Sequence, residues 1–349
     1  MQEKKHSQGS NQSLKKGTSS STVLTKVTHA RPKNSDSANK DGIRPTQSRQ
    51  NKQPGSRYHS QSRLFMSGMV YLLPALVLLG VFLFYPMAKT LYFSFFEVSG
   101  GGQVQEFVGL KHYRELLHST EFIKSMKATL LFVLYTVPAE IIISLFLATI
   151  ASEKLKGIGF FRTIFSSTLG VSVAAGATIF LFLFHPSLGV LNVILETIGI
   201  NPIEWLTNSK WALFSVAMTT VWMHIGINFI ILLAGIQNID QELYESAQID
   251  GAGYWARLFK ITIPLLSPVL FFVTIIAVIG AFQTFGQIDI LTGGGPAGAT
   301  NIIVYSIYQN AFSYGNFGFA SAQAIVLFVL ILIVTVVQFY FGEKKVHYQ

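Results

Sequence analysis

The sequence predicts an all-α integral membrane protein, with six transmembrane helices behind a long, disordered N-terminal tail. Half of the 349 residues are apolar and only 12% are charged, whereas a soluble domain carries about 25% charged residues. The charges are also unevenly distributed, because residues 1–63 contain 13 of the 26 Lys and Arg residues. These observations indicate a basic polar tail, residues 1–63, followed by a lipid-embedded domain, residues 64–345.

Each predicted span is a long apolar window. A spanning helix needs about 20 mainly apolar residues. Six windows reach that length, and they are 69–96, 126–150, 160–184, 211–236, 263–285 and 320–341. Prolines lie within several windows, but neighbouring helices in a membrane re-satisfy the backbone groups that a proline frees.

The tail is too polar to fold by itself. It consists mainly of Ser, Gln, Asn, Lys and Thr with few large apolar side chains, so burial cannot offset the entropy lost on ordering. One interpretation is a solvated cytoplasmic segment that fixes the topology, and the other is a tail that binds anionic lipid or nucleic acid. The positive charges are scattered, and no aromatic residue precedes Tyr58. This favours the solvated tail and no nucleic-acid partner.

The distribution of Lys and Arg also predicts the orientation. Basic residues are enriched in cytoplasmic loops, which places the tail, the connections 151–159 and 237–262, and the C-terminus inside. The external loops are then 97–125, 185–210 and 286–319. The first of these carries Lys111, Arg114 and Lys124 against the trend, but the tail outweighs it. We therefore expect a multi-pass protein of the cell membrane with both termini in the cytoplasm.

Several chemistries are excluded by the residues themselves. The chain has no cysteine, so it can form neither disulfides nor thiolate metal sites. It contains no G-x-x-x-x-G-K-[ST] phosphate loop and no H-E-x-x-H motif. We therefore expect no catalytic residues, no metal site and no bound cofactor in this chain, and any ATP would be hydrolysed by a separate subunit.

The connection between the fourth and fifth windows, residues 238–262, is the most polar internal one. Asp240 suits a helix N-cap, Gly251 and Gly253 interrupt the helix, and an amphipathic pattern resumes at Trp255. We expect a short helix, a glycine turn and a second short helix at the cytoplasmic surface, ending near Pro264. The residues alone leave open whether this segment merely joins two spans or docks a partner.

This segment resembles the cytoplasmic signature loop of permease subunits of binding-protein-dependent ABC importers. The family pattern is Glu-Ala-Ala, three residues, Gly, nine residues and Ile-x-Leu-Pro. Here Glu245-Ser246-Ala247 fills the first part, with Ser246 at the second position of the triplet, and Ile263 replaces the Leu. The resemblance implies the six-helix type I importer fold. It also implies docking on an ATPase through the matching residues, Glu245, Ser246, Ala247, Asp250, Gly251, Ala252 and Pro264.

A second match points to one branch of that family. The run from Asp289 to Pro296, with Tyr305–Tyr308 and Ala311–Phe312 after it, resembles the region after the fifth helix in maltose and glycerol-phosphate permeases. The resemblance implies carbohydrate import. The implied partners are a second homologous permease in a heterodimer, two ATP-binding subunits and an extracytoplasmic solute-binding protein. An ion-coupled carrier and a membrane scaffold are the alternatives, but the inverted repeat and buried carboxylate pairs of a carrier are not evident.

Polar residues inside the spans are candidates for solute contact, because polar groups facing lipid are costly. In the fifth window Gly280, Gln283, Thr284 and Gln287 have the spacing of one helix face, and the resemblance favours the last three as sugar-binding residues. In the fourth window Thr220, His224 and Asn228 are spaced by four residues, and we include His224 and Asn228 in the predicted site. Hydrogen bonding between helices is the competing explanation. We expect Glu140, in the second window, to be buried against a partner or beside a wet cavity.

Overall fold

A computed structural model describes residues 58–342 except Lys154, and in that part of the chain the fold is predominantly helical. The chain divides into two units, residues 1–64 and 65–349, and the packing below concerns the second. Most of the predicted disordered tail lies outside the described residues. The first helix begins at Tyr58, ahead of the predicted boundary at residue 64, and the sequence Pro54-Gly55 comes just before it.

The α-helices are numbered in chain order, with short π- and 3₁₀-helical segments at Gly80–Phe84, Ser167–Gly170, Leu258–Thr262 and Gln309–Ser313. They are α1 (Tyr58–Leu79), α2 (Tyr85–Phe93), α3 (Lys111–His118), α4 (Thr120–Ser152), α5 (Ile158–Ser166), α6 (Val173–Leu183), α7 (Val190–Thr197), α8 (Ala212–Gln237), α9 (Gln241–Ile249), α10 (Tyr254–Arg257), α11 (Ile263–Leu265), α12 (Ser267–Phe282), α13 (Gly286–Leu291), α14 (Ile303–Tyr308) and α15 (Phe317–Gly342). Two strands, β1 (Phe96–Val98) and β2 (Val104–Phe107), form an antiparallel hairpin that the apolar windows did not predict.

Four continuous helical segments of the described chain are long and apolar enough to cross a membrane, and they are Gly68–Phe93, Thr120–Ser152, Ala212–Gln237 and Phe317–Gly342. Two further segments become spans only if each bent helix pair is taken as one, which raises the number to six. The pair Ile158–Gly170 and Val173–Leu183 is bent by 106°, and the pair Tyr254–Leu265 and Ser267–Phe282 by 72°. The windows 160–184 and 263–285 are therefore not single straight helices.

Local sequence explains both bends. Ser172 has an extended backbone and its hydroxyl accepts a hydrogen bond from the Ala175 amide, so it caps the start of α6. Pro268 occupies the first turn of α12, where its missing N–H is not needed. In both cases a helix-initiating residue lies inside a window that is apolar on average, so the mean hydropathy stays high while the helix axis changes direction.

The core of the described unit is built around the long helices α4 and α8, which form its most extensive helix–helix contact. One buried cluster includes Phe132 of α4 and Val216 of α8, and a second includes Phe229 of α8 and Leu266. By contrast, the apolar window of Gly68–Phe93 contains no buried residue. The polar residues of α4 and α8 are therefore held inside the protein, whereas the first span offers its surface to lipid or to another chain.

Candidate functional site: a polar helical connection and a buried polar cluster

The connection between α8 and α12 contains the helix, glycine turn and helix predicted from the sequence. Helix α9 ends at Ile249, and Gly251 has a φ of +77° before α10 begins at Tyr254. A residue with a Cβ is disfavoured in this left-handed region. Asp240 occupies the N-cap position of α9, but its side chain makes no capping hydrogen bond.

The predicted coupling residues lie on an open surface of this connection. No residue of α9 is buried. Four of the predicted residues are exposed, namely Glu245, Ser246, Asp250 and Gly251, and three are half-buried, namely Ala247, Ala252 and Pro264. Ile249, which was not among the predicted site residues, is 87% exposed. An exposed aliphatic side chain between polar neighbours is the signal that identifies it.

Two tyrosines attach this connection to the rest of the unit. The Tyr244 hydroxyl lies 3.0 Å from Oγ1 of Thr262, which joins α9 to the start of the following span. The Tyr254 hydroxyl donates to Oγ1 of Thr149 in α4 across 3.4 Å. A cavity of about 470 Å³ lies between these attachments, lined by polar groups that include Arg162, Glu245 and Arg257. The connection therefore contacts α4 through specific polar groups and not by apolar packing alone.

A second group of predicted residues meets inside the helix pair α4–α8. His224 Nδ1 lies 2.9 Å from Glu140 Oε1, and Asn228 Nδ2 lies 3.5 Å from Glu140 Oε2. Only 1% of Glu140 and 3% of Asn228 is exposed, while about a third of the His224 side chain, 34%, remains accessible. The spacing of His224 and Asn228 on one helix face predicted their proximity, because α8 is continuous from Ala212 to Gln237. Glu140 was not predicted from the sequence as their partner.

The polar stripe predicted on the fifth span does not lie on one helix face. Helix α12 ends at Phe282 and α13 begins at Gly286, so Gln283 and Thr284 belong to the turn between them. Gln283 is exposed, whereas Thr284 and Gln287 are buried. The residue spacing predicted that these side chains share one helix face, but the break in this span separates them.

The helix that follows the break packs closely against α6. A Cβ atom at Gly286 would lie 2.6 Å from Cγ1 of Val173 in α6, so α13 approaches α6 at a distance that only glycine permits. The two buried members of the stripe use their polar groups internally. Thr284 donates to the Gly280 carbonyl at 3.1 Å, and Gln287 Nε2 lies 3.8 Å from the Met223 sulfur in α8. Gln283 is the stripe residue with an exposed side chain.

The glycine-rich run after α13 forms a compact turn. The hydroxyls of Thr292 and Thr300 lie 2.7 Å apart, and Thr300 donates to the Gly295 carbonyl at 2.7 Å. Tyr305 of the following α14 lies against this turn, since a Cβ atom at Gly294 would lie 2.8 Å from Cε1 of its ring. The same ring is tilted over Phe285, which precedes α13, at a centroid distance of 5.8 Å. The turn is thus held by hydroxyl hydrogen bonds and by aromatic packing.

Apolar spans that enclose polar groups, joined by an exposed polar connection, are the architecture of a membrane-embedded transport subunit. Comparison with known protein families identifies the kind of transport subunit. Residues 63–347 match the family of binding-protein-dependent transport system inner membrane components, and the chain belongs to that family. It is therefore a permease component of ABC transport and not an enzyme, and the resemblance found in the sequence is confirmed.

The similar proteins agree with this assignment. The chain is 37% identical over 280 residues to the sn-glycerol-3-phosphate transport system permease protein UgpA of Yersinia enterocolitica, which covers 79% of this chain and 94% of that protein. It is 37% identical over 278 residues to UgpA of Agrobacterium fabrum, with the same coverage of 79% and 94%. Among solved structures, a chain of a bacterial alginate ABC transporter in complex with an alginate pentasaccharide-bound periplasmic protein aligns with a TM-score of 0.70. That match has 24% identity and covers 83% of this chain and 98% of the other, so it shows a shared fold.

Proposed function

We propose that this chain forms half of the translocation pathway of an ATP-driven importer and docks on its ATPase through the connection between α8 and α12. The observation that carries the proposal is the exposure of that connection. Ile249 is 87% exposed and Trp255 63% exposed, and apolar side chains of this kind are the usual anchors of protein–protein interfaces. A partner that covers them removes apolar surface from water.

The proposed assembly contains a second homologous permease, two ATP-binding subunits and an extracytoplasmic solute-binding protein. Family membership supports these classes of partner, and the alginate transporter of similar fold was solved in complex with a periplasmic protein. The excess of Lys and Arg in residues 1–63 supports an orientation with both termini in the cytoplasm. In that orientation Ile249 faces the compartment that holds the ATPase, and ATP-driven closure of the ATPases would move α9 and switch the pathway between outward and inward access.

We propose a carbohydrate as the solute. Neutral hydrogen-bonding groups beside aromatic rings suit a sugar, and the chain offers Gln283, His224 and Asn228, with Trp222 on the same helix as the last two. A second candidate is glycerol phosphate, which is favoured by the similarity to UgpA of sn-glycerol-3-phosphate transport systems. Both solutes carry hydroxyl groups, so the same polar residues would serve either.

Uptake by the purified complex tests the proposal. The chain, with the permease and ATP-binding subunits that co-purify with it, is reconstituted in vesicles together with the solute-binding protein. Sugars and sn-glycerol-3-phosphate are then offered with and without ATP. We expect accumulation of one class of solute that depends on ATP. Accumulation driven by an ion gradient in vesicles that contain this chain alone would contradict the proposal.

Substitution of Glu245 separates docking from insertion. Glu245→Ala should leave the chain in the membrane and weaken its co-purification with the ATP-binding subunits, because the exposed carboxylate belongs to the coupling pattern. Glu242→Ala is the matched control, since Glu242 is an exposed carboxylate of the same helix outside that pattern. Equal co-purification and uptake for the two variants would show that the pattern does not dock an ATPase.

A further inference from the structure

A buried carboxylate lies in the middle of an apolar span. Glu140 belongs to α4, which is long and apolar enough to cross a membrane, and only 1% of the Glu140 surface is exposed. A lone carboxylate in such surroundings costs several kcal/mol, and this cost is reduced when charged or polar partners bind it. Its two oxygens lie next to His224 and Asn228 of α8. All of its described side-chain partners are thus residues of the predicted solute site.

The direction of these hydrogen bonds fixes the orientation of the imidazole. An ionised Glu140 only accepts, and in that state His224 Nδ1–H donates to Oε1 at 2.9 Å and the Asn228 amide donates to Oε2 at 3.5 Å. Glu140 is buried while 34% of the His224 side chain is accessible, so the carboxylate lies behind the ring. Among the described residues, Nε2 of His224 is neither hydrogen-bonded nor among the buried unpaired atoms. It is therefore the ring nitrogen that remains open to a ligand.

We propose that Glu140 is a positioning residue for solute recognition, holding His224 so that Nε2 meets a hydroxyl group of the transported solute. The arrangement follows the general rule that the partner of one ring nitrogen sets the tautomer and the direction of the other. The assignment rests on the proposed transport function. It holds for a sugar and for glycerol phosphate alike, because both carry hydroxyl groups.

Helix pairing alone does not account for this carboxylate. Helices α4 and α8 already pack through apolar clusters on both sides of it, which include Phe132 and Phe229. The neighbouring hydroxyls one turn away on α4 make no hydrogen bond to the pair, since Thr136 donates to the Phe132 carbonyl and Ser144 Oγ has no hydrogen-bond partner. Joining the two helices would not require an oxygen acceptor facing His224 Nδ1. That acceptor is what Glu140 supplies to His224.

A double-mutant cycle on the reconstituted complex tests the assignment, with KM and the maximal rate of ATP-driven uptake as readouts. Loss of one hydrogen bond of about 1 to 1.4 kcal/mol corresponds to a KM increase of roughly five- to tenfold. We expect this increase for His224→Ala and for Glu140→Ala, with little change in the maximal rate. The double variant should have the same KM as His224→Ala, because Glu140 acts only through His224. Ser144→Ala, which removes a buried hydroxyl one turn away on α4, should keep the wild-type KM.

Two conservative variants keep the test decisive if Glu140→Ala does not insert. Glu140→Gln retains an oxygen that accepts from Nδ1–H, so its KM should stay within about twofold of wild type, which is less than the value of one hydrogen bond. Glu140→Asp retains the charge but is one methylene shorter, so its KM should rise as in His224→Ala. A normal KM in Glu140→Asp with a raised KM in Glu140→Gln would show that charge matters and not positioning, and would overturn the proposal.

The remaining outcomes are equally distinct. Additive effects of Glu140→Ala and His224→Ala, or a lower maximal rate at unchanged KM, would assign Glu140 to helix packing and overturn the proposal. Absence of ATP-driven uptake in the wild-type complex would contradict the proposed function, and this assignment with it. Wild-type uptake with an unchanged KM in all Glu140 variants would contradict this assignment alone.

Discussion

The hydroxyl of Tyr254 donates a hydrogen bond to Oγ1 of Thr149 across 3.4 Å, although 105 positions separate the two residues in the sequence. This contact joins the exposed connection after α8 to the end of α4. The same helix carries Glu140, which binds His224 of α8. One helix thus contacts both the proposed docking surface and the proposed solute site, which provides a physical route between them.

Loss of the tyrosine hydroxyl should weaken this route. Tyr254→Phe removes one hydrogen bond of about 0.5–1.5 kcal/mol while keeping the ring that packs against Trp255. We expect the complex to assemble normally, with fewer solute molecules imported per ATP hydrolysed. Tyr71→Phe, on the exposed surface of α1, is the control and should leave the ratio unchanged. A wild-type ratio in Tyr254→Phe would exclude this contact from coupling.

The glycine turn of the connection should not tolerate a β-branched residue. Gly251 has a φ of +77°, where a residue with a Cβ pays roughly 1–2 kcal/mol. Gly251→Val should therefore distort the turn and reduce co-purification with the ATP-binding subunits. Gly253→Ala is the matched control, because Gly253 has a φ of −68° and open space around its Cα. Equal binding by both variants would show that the turn geometry is unimportant for docking.

The broken fifth span separates the two glutamines of the predicted stripe. Gln283 is exposed and Gln287 is buried beside Met223. Gln283→Ala should raise the KM for uptake with little effect on thermal stability, whereas Gln287→Ala should mainly lower the unfolding temperature. These effects are measured by uptake kinetics and by thermal unfolding in detergent. Unchanged kinetics in Gln283→Ala would assign its side chain a role other than solute contact.

The close approach of α13 and α6 should make Gly286 sensitive to size. Its added Cβ would lie 2.6 Å from Val173 Cγ1, and overpacking of this kind costs about 1–3 kcal/mol. Gly286→Ala should lower the unfolding temperature. Val173→Ala should restore it in the double variant, because it removes the methyl group that clashes. No rescue would mean that the glycine is needed for another reason.

Cap-forming and turn-forming residues made parts of this fold predictable from the sequence. Asp240, Gly251 and Gly253 mark the ends of short helices within a few residues, and the structure has its helices between them. The break after Phe282 was not predicted, because the predicted window extends to Phe285 and the packing of Gly286 against α6 cannot be read from a single sequence. The hairpin β1–β2 has no strong alternating pattern and was also missed.

The cluster of Glu140, His224 and Asn228 shows more clearly what the spacing of residues in a sequence cannot predict. The interval of four residues placed His224 and Asn228 on one face of α8, because that relationship is local to a helix. The partner of both residues is Glu140, which lies 84 positions from His224. Only the packing of α4 against α8 brings them together, and a single sequence does not contain that register.

Docking of the ATPase on the connection is the central claim, and Ile249→Asp tests it most directly. The variant places a carboxylate at the 87% exposed position of α9, where a covered interface would have to desolvate it. Ile198→Asp, at a 64% exposed isoleucine just after α7, is the control. The measurement is the amount of ATP-binding subunit that co-purifies with each membrane-inserted variant. We predict that Ile249→Asp loses the ATP-binding subunits and Ile198→Asp retains them, whereas full retention by Ile249→Asp would contradict the proposed docking surface.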